Sequence, residues 1–313
     1  MINKGIVIKS TGSYYLVKKE DNSIINCRIR GKFRTKEYKN TNPVAVGDIV
    51  GFKVQKDENS GVITKIFDRK NCLIRKSTNL SRKFHIIASN IDYAFLIATL
   101  TEPVTYLMFT DRWLIACEKN NIEPVIIFNK IDLYDNELNK KLVSYIKIYS
   151  DIGYKCFPVS VKENKGIDKI KNIIKGKTIV ISGNSGVGKS SLINLLEPKL
   201  KLKTAEISEY HKQGKHTTTF AEMFPVAGGY LIDTPGIKGF GLDEETKENT
   251  ALYFPEMKKI SHLCKFNNCT HTHEPDCAVK EAVNNREISP SRYNNYLNIL
   301  AGEEDKYRQD KYT

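Results

Sequence analysis

This chain of 313 residues is 40% apolar, which is enough for two or three domains that each bury a core. No run approaches the roughly 20 continuous apolar residues that cross a bilayer, and the opening residues lack the charged and then apolar pattern of a signal segment. These features argue against a membrane-spanning or exported protein, and we expect a cytoplasmic one.

The net charge of +13 is concentrated near the start of the chain. Residues 1–70 contain 15 Lys or Arg against 7 Asp or Glu, whereas the counts from Cys264 onward are 7 against 8. A basic N-terminal region suits a phosphate-rich partner such as RNA. A lysine-rich surface that only keeps the protein soluble is the alternative on charge alone.

Residues 1–70 contain five short apolar stretches separated by Gly, Asn, Asp and Ser, and these are Ile6–Ile8, Tyr14–Val17, Ile24–Ile29, Ile49–Val54 and Val62–Phe67. Short strands with basic and aromatic residues between them favour a small RNA-binding barrel of the OB type, although an SH3-like barrel fits the same pattern. Residues 71–90 show little periodicity, which predicts a linker or mobile loop.

From residue 91 to residue 245 apolar strands alternate with stretches of helical spacing. The strands are Ile91–Ala98, Val125–Phe128, Lys155–Val161, Thr178–Ser182, Ala221–Val226 and Gly229–Ile232, and the helices are Tyr106–Lys119, Asn136–Tyr149, Ile167–Ile174 and one that begins near Gly188. This alternation predicts an α/β domain with a mainly parallel sheet. Residues 246–313 predict a mainly helical domain with a cysteine-rich segment.

A phosphate-binding loop stands between the strand ending at Ser182 and the next helix. It matches G-x4-G-K-[ST] and comprises Gly183, Asn184, Ser185, Gly186, Val187, Gly188, Lys189, Ser190 and Ser191. Its backbone N–H groups and the helix N-terminus suit the phosphates of a nucleotide. We expect Lys189 to reach the β- and γ-phosphate oxygens and the Ser190 hydroxyl to ligate Mg²⁺, whereas a chance glycine-rich turn would lack the flanking strand and helix.

A second phosphate-facing motif follows the strand Gly229–Ile232. Asp233-Thr-Pro-Gly236 places an acidic side chain at a strand end and then a tight turn. We expect Asp233 to contribute to the Mg²⁺ site and the Gly236 N–H to contact the γ-phosphate. The motif is weak alone and gains weight because it follows the phosphate loop.

Base recognition is predicted at the end of the strand Val125–Phe128, where Asn129-Lys130-Ile131-Asp132 stands. Asp132 can accept two hydrogen bonds from guanine, which adenine does not offer, so binding adenine would leave a charge unpaired. We expect Asn129 to tie loops together and the Lys130 stem to pack over the base. Ser160-Val-Lys162 can present a backbone N–H to guanine O6. A surface turn is the alternative for N-K-x-D alone.

The order of these motifs is unusual, because in most GTPases the phosphate loop precedes N-K-x-D. Here Asn129–Asp132 comes first and Gly183 follows later. One site can form from either order, since function follows placement in space. The chain therefore predicts a circularly permuted G domain.

The residue after Gly236 bears on hydrolysis. Many GTPases place Gln there to orient the attacking water, and this chain has Ile237. The segment Gly214–Thr219 stands where a switch loop belongs, and from it we assign Thr218 to Mg²⁺ and His216 to the positioning of water. A contact of His216 with a partner's phosphate is the alternative.

A metal site is predicted at Cys264, Cys269, His271 and Cys277, which supply three thiols and an imidazole within 14 residues. This set completes four-coordinate Zn²⁺ and leaves no open position, as in structural zinc sites. His262 and His273 are alternatives for the nitrogen ligand, and unliganded or disulfide-bonded cysteines are alternatives to a metal. The remaining four cysteines are scattered singly, as is typical of reduced core residues.

Together these features resemble the ribosome small-subunit-dependent GTPase A family over essentially the whole chain. The resemblance rests on Asn129–Asp132 ahead of Gly183–Ser191, on Lys215-His-Thr-Thr-Thr219, on Asp233–Gly236 and on the Cys/His cluster. It implies an OB-fold domain, a permuted G domain and a zinc domain. It also implies binding to the small ribosomal subunit and its rRNA in late maturation, with subunit-stimulated hydrolysis and a catalytic role for His216. Lys215 replaces the Arg that is usual in the family and lacks its fork.

We therefore predict a monomeric cytoplasmic GTPase that binds GTP and GDP with Mg²⁺, holds one structural Zn²⁺ and assists small-subunit maturation. Its predicted domains are 1–70, 91–245 and 246–313, with a linker at 71–90. One alternative is a nucleotide-sensing RNA-binding module with negligible hydrolysis, which Ile237 supports. A further alternative is a permuted GTPase that acts on the large ribosomal subunit. The predicted barrel and the cysteine cluster argue against it.

Overall fold

The computed structural model describes residues 2–11, 14–29, 43–55, 60–76, 84–200, 221–233 and 249–302. The chain divides into two compact units. The first comprises Met1–Phe95, Asn164–Ser182 and Gly188–Ile237, and the second comprises Leu96–Glu163, Gly183–Val187 and Lys238–Thr313. None of the helices in the described ranges has the length and apolar character needed to cross a membrane.

The N-terminal part of the first unit is a five-stranded barrel. Its strands are β1 (Asn3–Ser10), β2 (Tyr15–Lys19), β3 (Ile24–Ile29), β4 (Ile49–Val54) and β5 (Ser60–Ile66). They pair in the order β1–β2–β3–β5–β4, and β4 pairs again with β1, so the sheet closes on itself. The prediction of a small closed barrel is confirmed.

Alternation of side chains explains why these segments form a barrel. Val7, Tyr15, Val17, Cys27 and Phe52 are among the residues almost fully buried in its core. Apart from Gly51 in β4, their strand neighbours are polar or partly exposed, which is the period-two pattern of a sheet with one face in water.

Residues 71–90 are not a loop throughout, so that prediction is wrong in part. They contain β6 (Cys72–Lys76) and β7 (Phe84–Ser89), which pair antiparallel. Among the described side chains of the hairpin, Leu73, Ile86 and Ala88 are buried apolar residues, and Arg and Lys surround them in the sequence. The periodicity of so few residues is a weak signal.

A buried carboxylate joins this hairpin to the barrel. Asp48 is fully buried and accepts hydrogen bonds from Arg69 Nε and Nη2, each at 2.7 Å, and from the Ser89 hydroxyl at 2.6 Å. The Ala45 amide donates to its second oxygen at 2.8 Å. A charge that is paired and hydrogen-bonded on every side is tolerated in a core, whereas a lone one is not.

The rest of the first unit is α/β. Its strands include β11 (Thr178–Ser182), β12 (Glu222–Val226) and β13 (Gly229–Asp233), and its helices include α3 (Ile167–Ile174) and α4 (Lys189–Leu196). β11 and β13 are parallel, whereas β12 runs antiparallel to β13 and pairs with β1 of the barrel. The strand β8 (Tyr93–Ala98) begins in this unit and ends in the second.

The second unit contains the remaining α/β elements. These are α1 (Leu107–Lys119), β9 (Glu123–Phe128), α2 (Asn136–Asp151) and β10 (Lys155–Pro158), with β9 and β10 parallel. Trp113 and Leu114 of α1 are buried. The continuous apolar run at the end of β9 is typical of a strand buried on both faces.

The end of the described chain is helical, which confirms that prediction. The helices are α5 (Pro255–Ile260), α6 (Ala278–Asn284) and α7 (Pro290–Leu300). Phe254, Met257, Val279 and Ile299 of this region form one apolar core with Ile115 of α1. Because α1 shares its core with the C-terminal helices, the described part of the chain shows no boundary between separate cores at residue 246. The domain bounds inferred from sequence stay predictions.

A buried ion cluster lies beside this core. The Arg292 guanidinium, 1% exposed, donates to Asp111 Oδ1 at 2.7 Å and to Glu256 Oε1 at 2.8 Å. Asp111 also accepts from the Tyr149 hydroxyl at 2.9 Å and from the Asn295 amide at 2.6 Å. Residues from α1, α2, α5 and α7 thus share one network, and breaking such a buried pair typically costs about 3–5 kcal/mol.

Candidate functional site

The glycine-rich loop leaves β11 after Ser182 and enters α4 at Lys189. Gly183, Gly186 and Gly188 have φ of +143°, +82° and +101°, conformations that residues with a Cβ rarely adopt. A Cβ on Gly183 would lie 2.4 Å from the Ile97 carbonyl oxygen, so the loop requires glycine there. The backbone therefore takes the strand–loop–helix form that the motif needs for phosphate binding.

Three of the predicted phosphate and Mg²⁺ ligands belong to the first unit. Lys189 and Ser190 open α4, and Asp233 is the last residue of β13, which lies parallel to β11. Parallel strands end at the same sheet edge, which is where ligands bind in open α/β sheets. Ser190 is buried, and burial lowers the pKa of Lys189 to about 8.

Asn129 connects the loops of the second unit. Its side chain is 3% exposed, and Nδ2 donates to the Val187 carbonyl in the glycine-rich loop at 2.9 Å. Its Oδ1 accepts from the Val161 amide at 3.1 Å. One side chain thus joins the end of β9, the phosphate loop and the Ser160–Lys162 loop.

The carboxylate of Asp132 is oriented by Ser160. The Ser160 hydroxyl donates to Asp132 Oδ1 at 2.5 Å, and the same Oγ accepts from the Glu163 amide at 3.0 Å. Lys130 has a left-handed backbone with φ of +66°, and its ammonium donates to the Glu102 carbonyl at 2.7 Å. The side chains of Asp132, which follows β9, and Ser160, which follows β10, therefore lie together. Lys162 is exposed.

Sequence reasoning missed two features here, namely Tyr134 and the loop of residues 99–105. The Tyr134 hydroxyl lies between the Leu100 amide and the Asn129 carbonyl, and burial raises its pKa, so it stays protonated. The sequence marks Tyr134 only as a single aromatic residue directly after N-K-x-D-L, in a segment that is otherwise largely polar.

Several predicted site residues lie outside the described residues. These are His216, Thr218 and Gly236. Their assignments to Mg²⁺, to the γ-phosphate and to water therefore stay predictions.

The Cys/His cluster of the second unit has the geometry of a four-coordinate metal site. The ligand atoms of Cys264, Cys269, His271 and Cys277 all lie within 4.8 Å of one another. The Cys264 and Cys277 sulfurs are 3.9 Å apart and lie 3.6 and 3.4 Å from His271 Nδ1. A zinc tetrahedron with ordinary bond lengths has S–S edges of about 3.8 Å and S–N edges of about 3.6 Å. The donor set therefore fits a metal ion.

Outer contacts hold this cluster in place. His271 has a left-handed backbone with φ of +57°, and its carbonyl accepts from the Tyr293 hydroxyl at 2.6 Å. Desolvation raises the pKa of Cys269 to about 12 and lowers the pKa of His271. A neutral imidazole is ready to ligate, whereas a metal must displace the thiol protons. His273 instead contacts the Thr272 hydroxyl at 2.9 Å.

Comparison with known proteins gives concordant results. The model of the RsgA GTPase family matches residues 66–243, and the model of the RsgA N-terminal domain matches residues 4–63. The small ribosomal subunit biogenesis GTPase RsgA of Flavobacterium psychrophilum is 53% identical over 313 residues, with 98% of this chain and 95% of the relative covered.

Two solved structures are similar. YjeQ from Thermotoga maritima has a TM-score of 0.80 at 35% identity and covers 96% of this chain and 98% of its own. YloQ, described as a circularly permuted GTPase, has a TM-score of 0.75 at 30% identity, with 100% and 98% covered. The predicted combination of barrel, permuted G domain and helical cysteine-rich region is thereby confirmed. The chain belongs to the RsgA GTPase family.

Proposed function

We propose that this GTPase binds the small ribosomal subunit, assists its late maturation and hydrolyses GTP to GDP faster when bound there. One observation carries the nucleotide-binding part, namely the two hydrogen bonds by which Asn129 joins the Val187 and Val161 backbones. These contacts bring three motifs together although their order along the chain is permuted. The relative from Flavobacterium psychrophilum is named for small-subunit biogenesis, which supports the choice of partner.

The nucleotide would be held by groups with separate tasks. Glycine-loop amides and the charged Lys189 would bind the phosphates, and the Asp132 carboxylate would accept from guanine N1–H and the 2-amino group. Lys130 and the Ser160–Lys162 loop would enclose the base. Ser190, Asp233 and Thr218 would hold Mg²⁺, which neutralises phosphate charge when it is bound.

Hydrolysis would depend on His216, because Ile237 cannot orient water. Binding to rRNA would place His216 against the attacking water and so accelerate the reaction. The barrel surface suits RNA, since Lys4 and Lys65 each place an ammonium near the Phe67 ring, and Arg28 lies 4.9 Å from the Tyr14 ring centroid. Aromatic faces with cations are the usual platform for single-stranded bases.

For the Cys/His cluster we propose Zn²⁺ as the metal, one per chain, in a structural role. Three sulfurs and one imidazole nitrogen are a donor set that zinc prefers, and four protein ligands leave no open position for a substrate. We further propose that the protein acts in the cytoplasm as a monomer.

The decisive experiment is GTP hydrolysis measured with and without purified small subunits. The unaltered protein should be slow alone and accelerated by subunits, Lys189→Ala should be inactive in both conditions, and His216→Ala should bind nucleotide but lose the stimulation. Lys199→Ala is a control, because Lys199 lies in a 3₁₀ turn after α4 and not in the phosphate loop.

The outcomes separate the candidate functions. No acceleration by small subunits would show the proposed function to be wrong. Subunit binding without turnover would support the nucleotide-sensing RNA-binding module that Ile237 favours. Full stimulation of His216→Ala would remove only the catalytic assignment of that histidine.

A further inference from the structure

Tyr134 is buried and stands two residues after the base-recognition motif Asn129–Asp132. Its side chain is 8% exposed, and its hydroxyl accepts from the Leu100 amide at 2.9 Å and donates to the Asn129 carbonyl at 2.8 Å. A single 3₁₀ turn, Ile131–Leu133, separates it from Asn129 and Lys130, and the Tyr134 amide bonds back to the Ile131 carbonyl at 3.3 Å. Asp132 lies within that turn, so the position of the tyrosine constrains the carboxylate.

The hydroxyl completes a ring of hydrogen bonds around Asn129. The Asn129 amide donates to the Ala98 carbonyl at 2.8 Å, and its own carbonyl accepts from Tyr134. Its backbone is therefore fixed on both sides while its side chain holds Val187 and Val161. Removing the Tyr134 hydroxyl would release one side of the residue on which three loops depend.

The partner of Tyr134, the loop of residues 99–105, touches the site at two further points. The loop is closed by the Thr105 amide, which donates to the Thr99 carbonyl at 2.8 Å. Its Glu102 carbonyl accepts from the Lys130 ammonium, and Pro103 lies where a Cβ on Gly186 would meet it at 3.5 Å. The loop thus contacts both the base-recognition motif and the phosphate loop.

We propose that Tyr134 is a positioning residue for guanine selectivity, which acts through Asn129 and residues 99–105 to align the Asp132 carboxylate. This inference rests on the guanine site of the proposed function. A carboxylate accepts from both N1–H and the 2-amino group only in one orientation, because the two donors lie side by side on the base.

Comparison of GDP with IDP isolates this effect. The inosine nucleotide keeps N1–H and lacks the 2-amino group, so the ratio of the two affinities measures the second hydrogen bond to Asp132. A residue that only stabilises the fold would change both affinities together. A residue that aligns the carboxylate changes the ratio.

The experiment measures Kd for GDP and IDP by calorimetry on the full chain, for the unaltered protein, Tyr134→Phe and Tyr154→Phe. Tyr154 is a matched control, because it is also 8% exposed and its hydroxyl donates to Glu118 at 3.0 Å, outside the base loop. We expect Tyr134→Phe to weaken GDP binding roughly three- to tenfold, the factor of one buried hydrogen bond. The affinity for GDP divided by the affinity for IDP should fall about threefold or more in Tyr134→Phe and stay unchanged in Tyr154→Phe.

A second measurement does not depend on the variant folding. If the Leu100–Tyr134 bond favours binding, then binding must favour that bond, since coupling between two equilibria is reciprocal. Hydrogen exchange of the Leu100 amide in the unaltered protein should therefore slow on addition of GDP.

The outcomes are distinct. An unchanged GDP/IDP ratio in Tyr134→Phe, or unchanged exchange at Leu100, would overturn the role of Tyr134 and leave the guanine site standing. An unaltered protein that binds neither nucleotide, or binds both equally, would overturn the guanine site together with this inference.

Discussion

The base-recognition loops and the Cys/His cluster lie in the same compact unit, yet they are built on opposite principles. Around Asn129 the loops are joined by hydrogen bonds between protein groups, so bonds within the protein hold the shape of the site. The cluster instead gathers four ligand atoms with no covalent bond between them, and the proposed metal would complete it. A preorganised site loses affinity when altered, whereas a metal-completed site loses its fold.

Breaking the cluster should have the largest effect. Cys277→Ser removes a buried sulfur of the proposed metal site, and structural zinc contributes an apparent 10 kcal/mol or more at neutral pH in zinc-finger peptides. We expect loss of bound metal and of cooperative unfolding in α5–α7, with nucleotide binding affected less. Elemental analysis and thermal unfolding measure both.

Cys156→Ser is the control for that variant, since Cys156 is a half-buried thiol outside the cluster. It should keep the metal content of the unaltered protein. Full metal content in Cys277→Ser would remove the distinction between the two regions.

A smaller effect is expected from Asn129→Ala, which leaves the Val187 carbonyl and the Val161 amide without their side-chain partner. Two lost buried hydrogen bonds correspond to about 2 kcal/mol of unfolding free energy. GDP affinity should fall about tenfold or more while metal content stays unchanged. Asn120→Ala, which removes an amide that caps α1 by donating to Ala116, should leave GDP affinity unaltered. Equal losses in both variants would argue against a preorganised site.

The smallest effect is a dependence on pH. With a pKa of about 8, Lys189 is increasingly neutral above pH 8 in the free protein, and phosphate binding favours its charged form. GDP affinity should decline above that pH, by at most about tenfold per unit, with proton uptake on binding. The unfolded chain binds this proton up to the ordinary pKa of 10.5, so the unliganded protein gains stability from pH 8 to 10.5. Calorimetry in buffers of different ionisation enthalpy measures the uptake, and Lys189→Met should show none.

Much of the architecture could be predicted because its signals are local. The barrel strands alternate, and the α/β elements have strong periodicity, so helices such as α3 were predicted at their observed bounds. The motifs around Asn129 and Gly183 carry their own chemistry and need no distant context. The hairpin β6–β7 was missed because few apolar residues mark an inward face; among its described side chains the buried apolar ones are Leu73, Ile86 and Ala88.

What escaped prediction depends on residues far apart in the chain. Tyr134 is informative only once Leu100 is known to lie against it, and a lone tyrosine indicates nothing about its partner. Asp111 and Arg292 look like ordinary polar positions on helices, because charged residues are rarely fully buried. Their pairing is a property of the fold and leaves no local pattern.

The Asp111–Arg292 pair has a consequence for the order in which the protein is made. The two residues are separated by 181 positions, so on the ribosome Asp111 emerges long before its cation. Until α7 is synthesised, α1 cannot bury this carboxylate without the cost of an unpaired charge. We therefore expect the second unit to finish folding only after release of residues 290–300, and nascent chains stopped earlier to expose α1 to chaperones and proteases.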